Sequence, residues 1–173
     1  PLVISMIFSS CHHVCPSTTQ YLQQVVKKAR AVLKEDSFQV LTIGFDTAND
    51  SPERMAEFRT STGVTDAHWD FLSGDETSMA TLVHQLGFIY TPSSRGFDHL
   101  IQSSIVDADG VIYLPTCDSR VMSRRDSRDP YVLEILTLSG SQADHAVSGY
   151  HPTEQSGFTR RRTKKFRFAV TRY

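Results

Sequence analysis

Two nearly unbroken apolar runs constrain the fold more than anything else in this sequence. The first is Leu2-Val3-Ile4-Ser5-Met6-Ile7-Phe8, and the second is Phe38-Gln39-Val40-Leu41-Thr42-Ile43-Gly44-Phe45. A strand with one wet face alternates apolar and polar residues; a strand covered on both faces does not. Both runs are therefore predicted to be central strands with helices on either side. Between them, Leu22, Val25, Val26, Ala29, Val32 and Leu33 recur at helical spacing. Pro16 is placed to open that helix, where its missing N–H is harmless.

The pattern continues in the same style. Ser51-Pro52-Glu53 predicts a second helix carrying Met55 and Phe58 and ending near Gly63. Trp69 to Leu72 reads as a brief strand, and Asp75 as the cap of a third helix running to about Leu86, before Gly87. Ile101 to Val106, a turn at Asp107-Ala108-Asp109-Gly110, and Val111 to Tyr113 read as a β-hairpin. The order β-α-β-α-β-α-β-β implies an α/β domain with a central mixed sheet, flanked by helices and closed by the hairpin.

Length and composition agree: 173 residues suit one domain with an appended segment, and 39% hydrophobic residues can build a core. No run reaches the roughly 18–20 apolar residues that span a bilayer. The chain starts at Pro1 within an apolar run, so an N-terminal part, with any anchor or signal, is expected upstream. Charge divides the chain. Residues 1–116 hold 7 Lys and Arg against 13 Asp and Glu, net −6, whereas residues 117–173 are net +5. The domain is accordingly placed at 1–116, and 117–173 is read as an atypical basic extension, partly disordered. Within it, Ser139 to Gly157 reads as loop, Arg160 to Lys165 as a solvated basic run and Phe166 to Val170 as a terminal strand. Nucleic-acid binding is not expected of it.

Chemistry concentrates at Cys11-His12-His13-Val14-Cys15-Pro16, directly after the first strand. A cysteine pair at a strand-to-helix turn feels the positive end of the helix, which lowers thiol pKa and favours both nucleophile and metal ligand. Disulfide oxidoreductases favour a two-residue spacer. Three intervening residues open a wider loop in which both sulfurs can converge on one soft ion such as Cu(I). The competing reading is a pair of small buried hydrophobes. His12 and His13 point in different directions from a turn, so they are read as exposed loop residues. His99, in Gly96-Phe97-Asp98-His99-Leu100 before the hairpin, is the candidate third ligand, with Asp98 as the group that orients it. Asp46, following the second strand at the carboxyl end of the sheet, is a candidate supporting acid. His68, His84, His145, His151 and Cys117 have no such placement.

Cys11-His12-His13-Val14-Cys15-Pro16, then Phe45-Asp46, then Asp98-His99 before a strand ending in Asp-Ala-Asp-Gly, together resemble the Sco/SenC family over about residues 1–113. The resemblance implies a thioredoxin-like fold and copper binding by Cys11, Cys15 and His99. It implies a role in assembling the dinuclear copper site of cytochrome c oxidase, with the copper-site subunit as partner and other copper chaperones or thiol reductants as further partners. It also implies a place on the periplasmic or intermembrane-space side of a membrane, anchored by an N-terminal segment. A thiol–disulfide oxidoreductase or thiol peroxidase on the same fold is the alternative. The family continues after the hairpin with a final helix, and residues 114–173 show no pattern matching it.

Overall fold

The computed structural model describes residues 1–94, 96–114 and 159–161. The elements are β1 (Leu2–Ile7), α1 (Val14–Val32), β2 (Gln39–Gly44), α2 (Pro52–Thr62), β3 (Trp69–Leu72), α3 (Glu76–Leu86), β4 (Tyr90–Ser93), β5 (Gly96–His99), β6 (Ser103–Val106), β7 (Ile112–Leu114) and β8 (Thr159–Arg161). One sheet has the strand order β3-β2-β1-β6-β7-β8, and β4 and β5 form a separate two-stranded sheet. β1, β2 and β3 run parallel, joined through helices, while β6 returns antiparallel to β1. The central mixed sheet and the closing β6–β7 hairpin are as the sequence predicts.

Sidedness follows from the period of two along a strand. Val3 and Val40 join one apolar cluster with Leu22, Val25, Val26 and Ala29 of α1, and with Phe38, Trp69 and Ile105. Ile4 and Met6 join another with Met55 and Phe58 of α2 and Met79, Leu82 and Leu86 of α3. β1 and β2 are thus covered on both faces, which is why their sequences lack alternation. One polar pair sealed inside is satisfied internally, Trp69 Nε1–H donating to Thr42 Oγ1 at 2.9 Å.

Helix ends form where the capping residues stand. Ser51 Oγ accepts the N–H of Arg54, Pro52 holds the first position of α2, and Gly63 closes it at φ 71°. Asp75 accepts the N–H of Ser78 at 2.9 Å, and Gly87 closes α3 at φ 62°. In the last hairpin, Asp107 Oδ1 accepts the N–H groups of Asp109 and Val111 across the turn.

The structure departs from the sequence expectations in three places. α1 starts at Val14, so Pro16 is the third residue of the helix and Cys15 lies inside the first turn. The unassigned stretch after α3 is a hairpin, β4–β5, that pairs Tyr90 with His99 and Ser93 with Gly96. And Arg160 and Arg161, expected in a solvated run, belong to β8, which pairs with β7 at the sheet edge. Cys117, His145, His151, the expected loop over 139–157 and the expected strand over 166–170 lie outside the described residues.

Candidate metal and thiol site

Cys11 lies in the loop after β1 and Cys15 in the first turn of α1. The N-cap residue His13 makes no side-chain capping bond. A sulfur caps the helix instead, with the Cys15 N–H pointing at Cys11 Sγ, 3.4 Å away. The loop is further pinned by the Cys11 N–H donating to the Phe8 carbonyl at 3.1 Å.

The two thiols are electrostatically unequal. Partial burial works against a Cys11 thiolate. The Cys15 N–H and thiol, with the N–H groups of His13 and Val14, outweigh it and hold the Cys11 pKa below the ordinary thiol value. Cys15 is 2% exposed. Burial, with added repulsion from Cys11 and Asp50, pushes its pKa up to about 12. In the reduced, metal-free protein, Cys11 is thus the thiol favoured to ionise and Cys15 the one favoured to keep its proton.

His99 arrives from the far hairpin. Its Nε2 is 3.9 Å from Cys15 Sγ, across 84 residues of sequence. Its Nδ1 lies 2.9 Å from the carbonyl of Leu100. A carbonyl only accepts, so the proton belongs on Nδ1 and the Nε2 lone pair faces the sulfur. The imidazole stands in an aromatic enclosure, with ring centroids 5.6 Å from Phe8, 5.4 Å from Phe45 and 5.9 Å from Phe88. Phe8 precedes the cysteine loop, Phe45 follows β2 and Phe88 follows α3. Segments far apart in sequence therefore set the angle of one ring.

Gly96 is needed for this closure. It sits at φ +106°, and a Cβ there would come within 2.8 Å of the Phe8 ring. A larger residue would be strained and would push against the ring that backs His99.

The candidate supporting acids are placed differently from expectation. The side chain of Asp98 is exposed on the face of β5 opposite His99, and the Leu100 carbonyl holds Nδ1 in its stead. Asp46 is buried, and its carboxylate accepts from Asn49 Nδ2 at 2.8 Å. The acid that reaches the cysteine loop is Asp50, which sequence reasoning missed: it accepts the Ser9 N–H at 2.8 Å and the Asp46 N–H at 3.0 Å. Its one sequence signal was its place just before the Ser51-Pro52 helix start. His12 and His13 are exposed, as expected. His68 pairs with Gln39 on the other side of β2, and His84 lies in the last turn of α3.

Two sulfurs and one imidazole nitrogen form a soft donor set. Bonds of about 2.3 Å to sulfur and about 2.0 Å to nitrogen, the lengths zinc shows, can both be made between atoms 3.9 Å apart. Cys11 is directed at the helix N-terminus, and among the described residues no three His, Cys, Asp or Glu side chains are already gathered around one metal position.

A parallel β-α-β sheet with an antiparallel return, and a cysteine pair at the first strand-to-helix turn, define a thioredoxin-like thiol protein. The chain belongs to the SCO1/SenC family, whose model matches residues 1–128, past the boundary expected at 116. Among solved structures it is similar to ScoI of Bradyrhizobium japonicum with copper bound, at 19% identity and a TM-score of 0.60, covering 79% of this chain and 83% of that one. It is similar to Arabidopsis thaliana ScoI with copper bound, at 16% identity, with the same TM-score and coverages. It also resembles BsSco, described as having a disulfide switch and as a member of the Sco family of cytochrome c oxidase assembly proteins, at 20% identity and a TM-score of 0.58, covering 80% and 79%. No curated protein matches the chain.

Proposed function

We propose that this protein binds copper through Cys11, Cys15 and His99, and hands it on during assembly of the dinuclear copper site of cytochrome c oxidase. The observation that carries this reading is the approach of His99 Nε2 to Cys15 Sγ, at 3.9 Å. Nothing in the local sequence brings them together, and the Leu100 carbonyl leaves that nitrogen free to donate. Family membership and the copper-bound ScoI structures support the choice of metal. The partner is then the copper-site subunit of the oxidase, and the place of work the periplasm or the intermembrane space. In this reading the Leu100 carbonyl orients the imidazole, and Asp50 supports the loop, in the places first given to Asp98 and Asp46.

Copper here is cargo, and the chain's own groups govern its uptake. Cys11, already inclined to the thiolate, is the first ligand. Cys15 must lose a proton that burial makes it hold tightly, so uptake releases a proton and weakens as pH falls. The aromatic walls keep the imidazole from swinging away.

The experiment is Cu(I) titration of the parent beside Cys11→Ser, Cys15→Ser and His99→Ala. One ion per chain is expected in the parent, with loss in either serine variant and a drop of at least a hundredfold in His99→Ala. Unchanged affinity in His99→Ala would remove the third ligand.

A second reading rests on a separate observation, the inequality of the two thiols. A low-pKa Cys11 beside a neutral Cys15 is the pattern of an attacking thiolate with a resolving thiol. The protein would then reduce a partner's cysteines, Cys11 forming the mixed disulfide and Cys15 displacing the product while the pair is oxidised. Turnover of a disulfide substrate by the metal-free protein is its test.

A further inference from the structure

Asp50 is a buried carboxylate, 3% exposed, that stands outside the proposed ligand set. Yet its two oxygens are both engaged, and with different loops. Oδ1 accepts the N–H of Ser9, 41 residues away at the entry to the cysteine loop, at 2.8 Å. Oδ2 accepts the N–H of Asp46, just after β2, at 3.0 Å. The segment that carries it is itself stiff: the N–H groups of Asn49 and Asp50 both bond the Asp46 carbonyl, at 2.9 and 2.7 Å, and Asn49 Nδ2 bonds the Asp46 carboxylate.

The sheet has made room for this group. A Cβ on Gly44, the last residue of β2, would lie 2.6 Å from Asp50 Cβ and 2.8 Å from its Cγ and Oδ2. Only glycine lets the carboxylate sit against the strand end. Ser51, the next residue, caps α2, so Asp50 is anchored from behind by a helix as well.

We propose that Asp50 is the positioning residue of the site: its carboxylate ties the start of the cysteine loop to the end of β2 and so sets where Cys11 and Cys15 stand relative to His99. The inference rests on the copper reading for its main readout. A charged acceptor bonded to two backbone N–H groups is among the stronger tethers a loop can have. Without it, Ser9 and Asp46 retain buried donors with no partner, and the loop must move to satisfy them. His99 is also held by groups outside both tied segments, the Leu100 carbonyl and the Phe88 ring, so movement of the loop changes the sulfur–nitrogen distance.

The test compares Asp50→Ala, Asp50→Asn and Gly44→Ala with the parent, using Cu(I) in competition with a chromophoric chelator and, separately, equilibration of the Cys11–Cys15 pair with glutathione. Asp50→Asn keeps an oxygen for Ser9 but turns an amide toward the Asp46 N–H. Gly44→Ala displaces the carboxylate without altering it. Val25→Ala, in the α1 cluster, supplies a control destabilised without change at the site.

The expected result is at least a tenfold loss of Cu(I) affinity in Asp50→Ala and Gly44→Ala, and a smaller loss in Asp50→Asn. The thiol pair should shift at least threefold toward its reduced form, because a looser loop lowers the effective concentration of one thiol at the other. Val25→Ala should stay within twofold on both measures. Should Asp50→Ala fail to fold, Asp50→Asn and Gly44→Ala decide. Variants that match the parent in both measurements, or a Val25→Ala loss as large as theirs, overturn the proposal. If the parent binds no Cu(I), the copper reading falls and the glutathione equilibrium alone decides on Asp50, an unshifted pair overturning it.

Discussion

The backbone N–H of Cys15 is directed at Cys11 Sγ, 3.4 Å away, so the first cysteine caps the helix that contains the second. One contact thereby divides the labour of the pair. It lends the helix N-terminal field to Cys11 and leaves Cys15 behind it, buried and neutral.

Alkylation of the reduced, metal-free protein should reflect that division. In Cys15→Ser, Cys11 should react with iodoacetamide with a midpoint below the usual thiol pKa of about 8.5. In Cys11→Ser, Cys15, followed separately from Cys117 by mass spectrometry of its peptide, should react slowly throughout pH 7–9. The order is read from rate–pH profiles of the two variants, and a lower midpoint for Cys15 would reverse it.

Stability should follow pH through the same groups. Cys15 has a folded pKa of about 12, above its unfolded value, so the native state holds a proton that the unfolded chain releases above about pH 8.5. Its contribution is complete below that pH and declines as pH rises toward 12. The limiting slope for one proton is about 1.4 kcal/mol per pH unit. Cys11, with a depressed folded pKa, acts in the opposite sense: its contribution is present above the unfolded value and is lost as pH falls through the folded one. Urea denaturation at pH 7 and pH 10 should show weaker folding at the higher pH, and Cys15→Ala should flatten the decline.

Gly96→Ala combines a disfavoured φ of +106° with a Cβ 2.8 Å from the Phe8 ring. A cost of about 1–3 kcal/mol is expected from the backbone alone. Because Phe8 backs His99, Cu(I) affinity should fall as well. Chemical denaturation and Cu(I) competition on the same preparation check both effects, and parent-like values in both would contradict the packing described.

Arg30→Ala should separate folding from function. The Arg30 guanidinium bonds Asp66 at 2.5 Å, the carbonyls of Glu35 and Phe38, and the face of the Phe38 ring at 4.3 Å. Removing one partner of a largely buried ion pair costs about 3 kcal/mol. All these contacts lie beside the α1 cluster, so a lower denaturation midpoint with unaltered Cu(I) affinity in the folded protein is expected.

The domain core was legible because each of its signals is local. Uninterrupted apolar runs mark β1 and β2, Ser51-Pro52 and Asp75 mark helix starts, Gly63 and Gly87 mark helix ends, and Asp107 to Gly110 marks a turn. The β4–β5 hairpin was not. Pro92 interrupts its first strand, and the two strands expose much of their surface, so neither burial nor alternation announces them. Asp50 was invisible for another reason. Its partners, Ser9 and Asp46, offer backbone N–H groups, which every non-proline residue carries and no sequence pattern distinguishes.

By itself, the sequence determined which residues can do chemistry and which segments must be buried, since residue type and periodicity are properties of the chain. Only the tertiary structure decided that Cys11 caps a helix, that Cys15 is the protected thiol, that His99 turns Nε2 to it, and that Asp50 holds the loop. Those are consequences of distance and solvent exclusion between segments tens of residues apart. They come into being only when the fold brings the ends of β1 and β2, from one sheet, and of β5, from another, to one place.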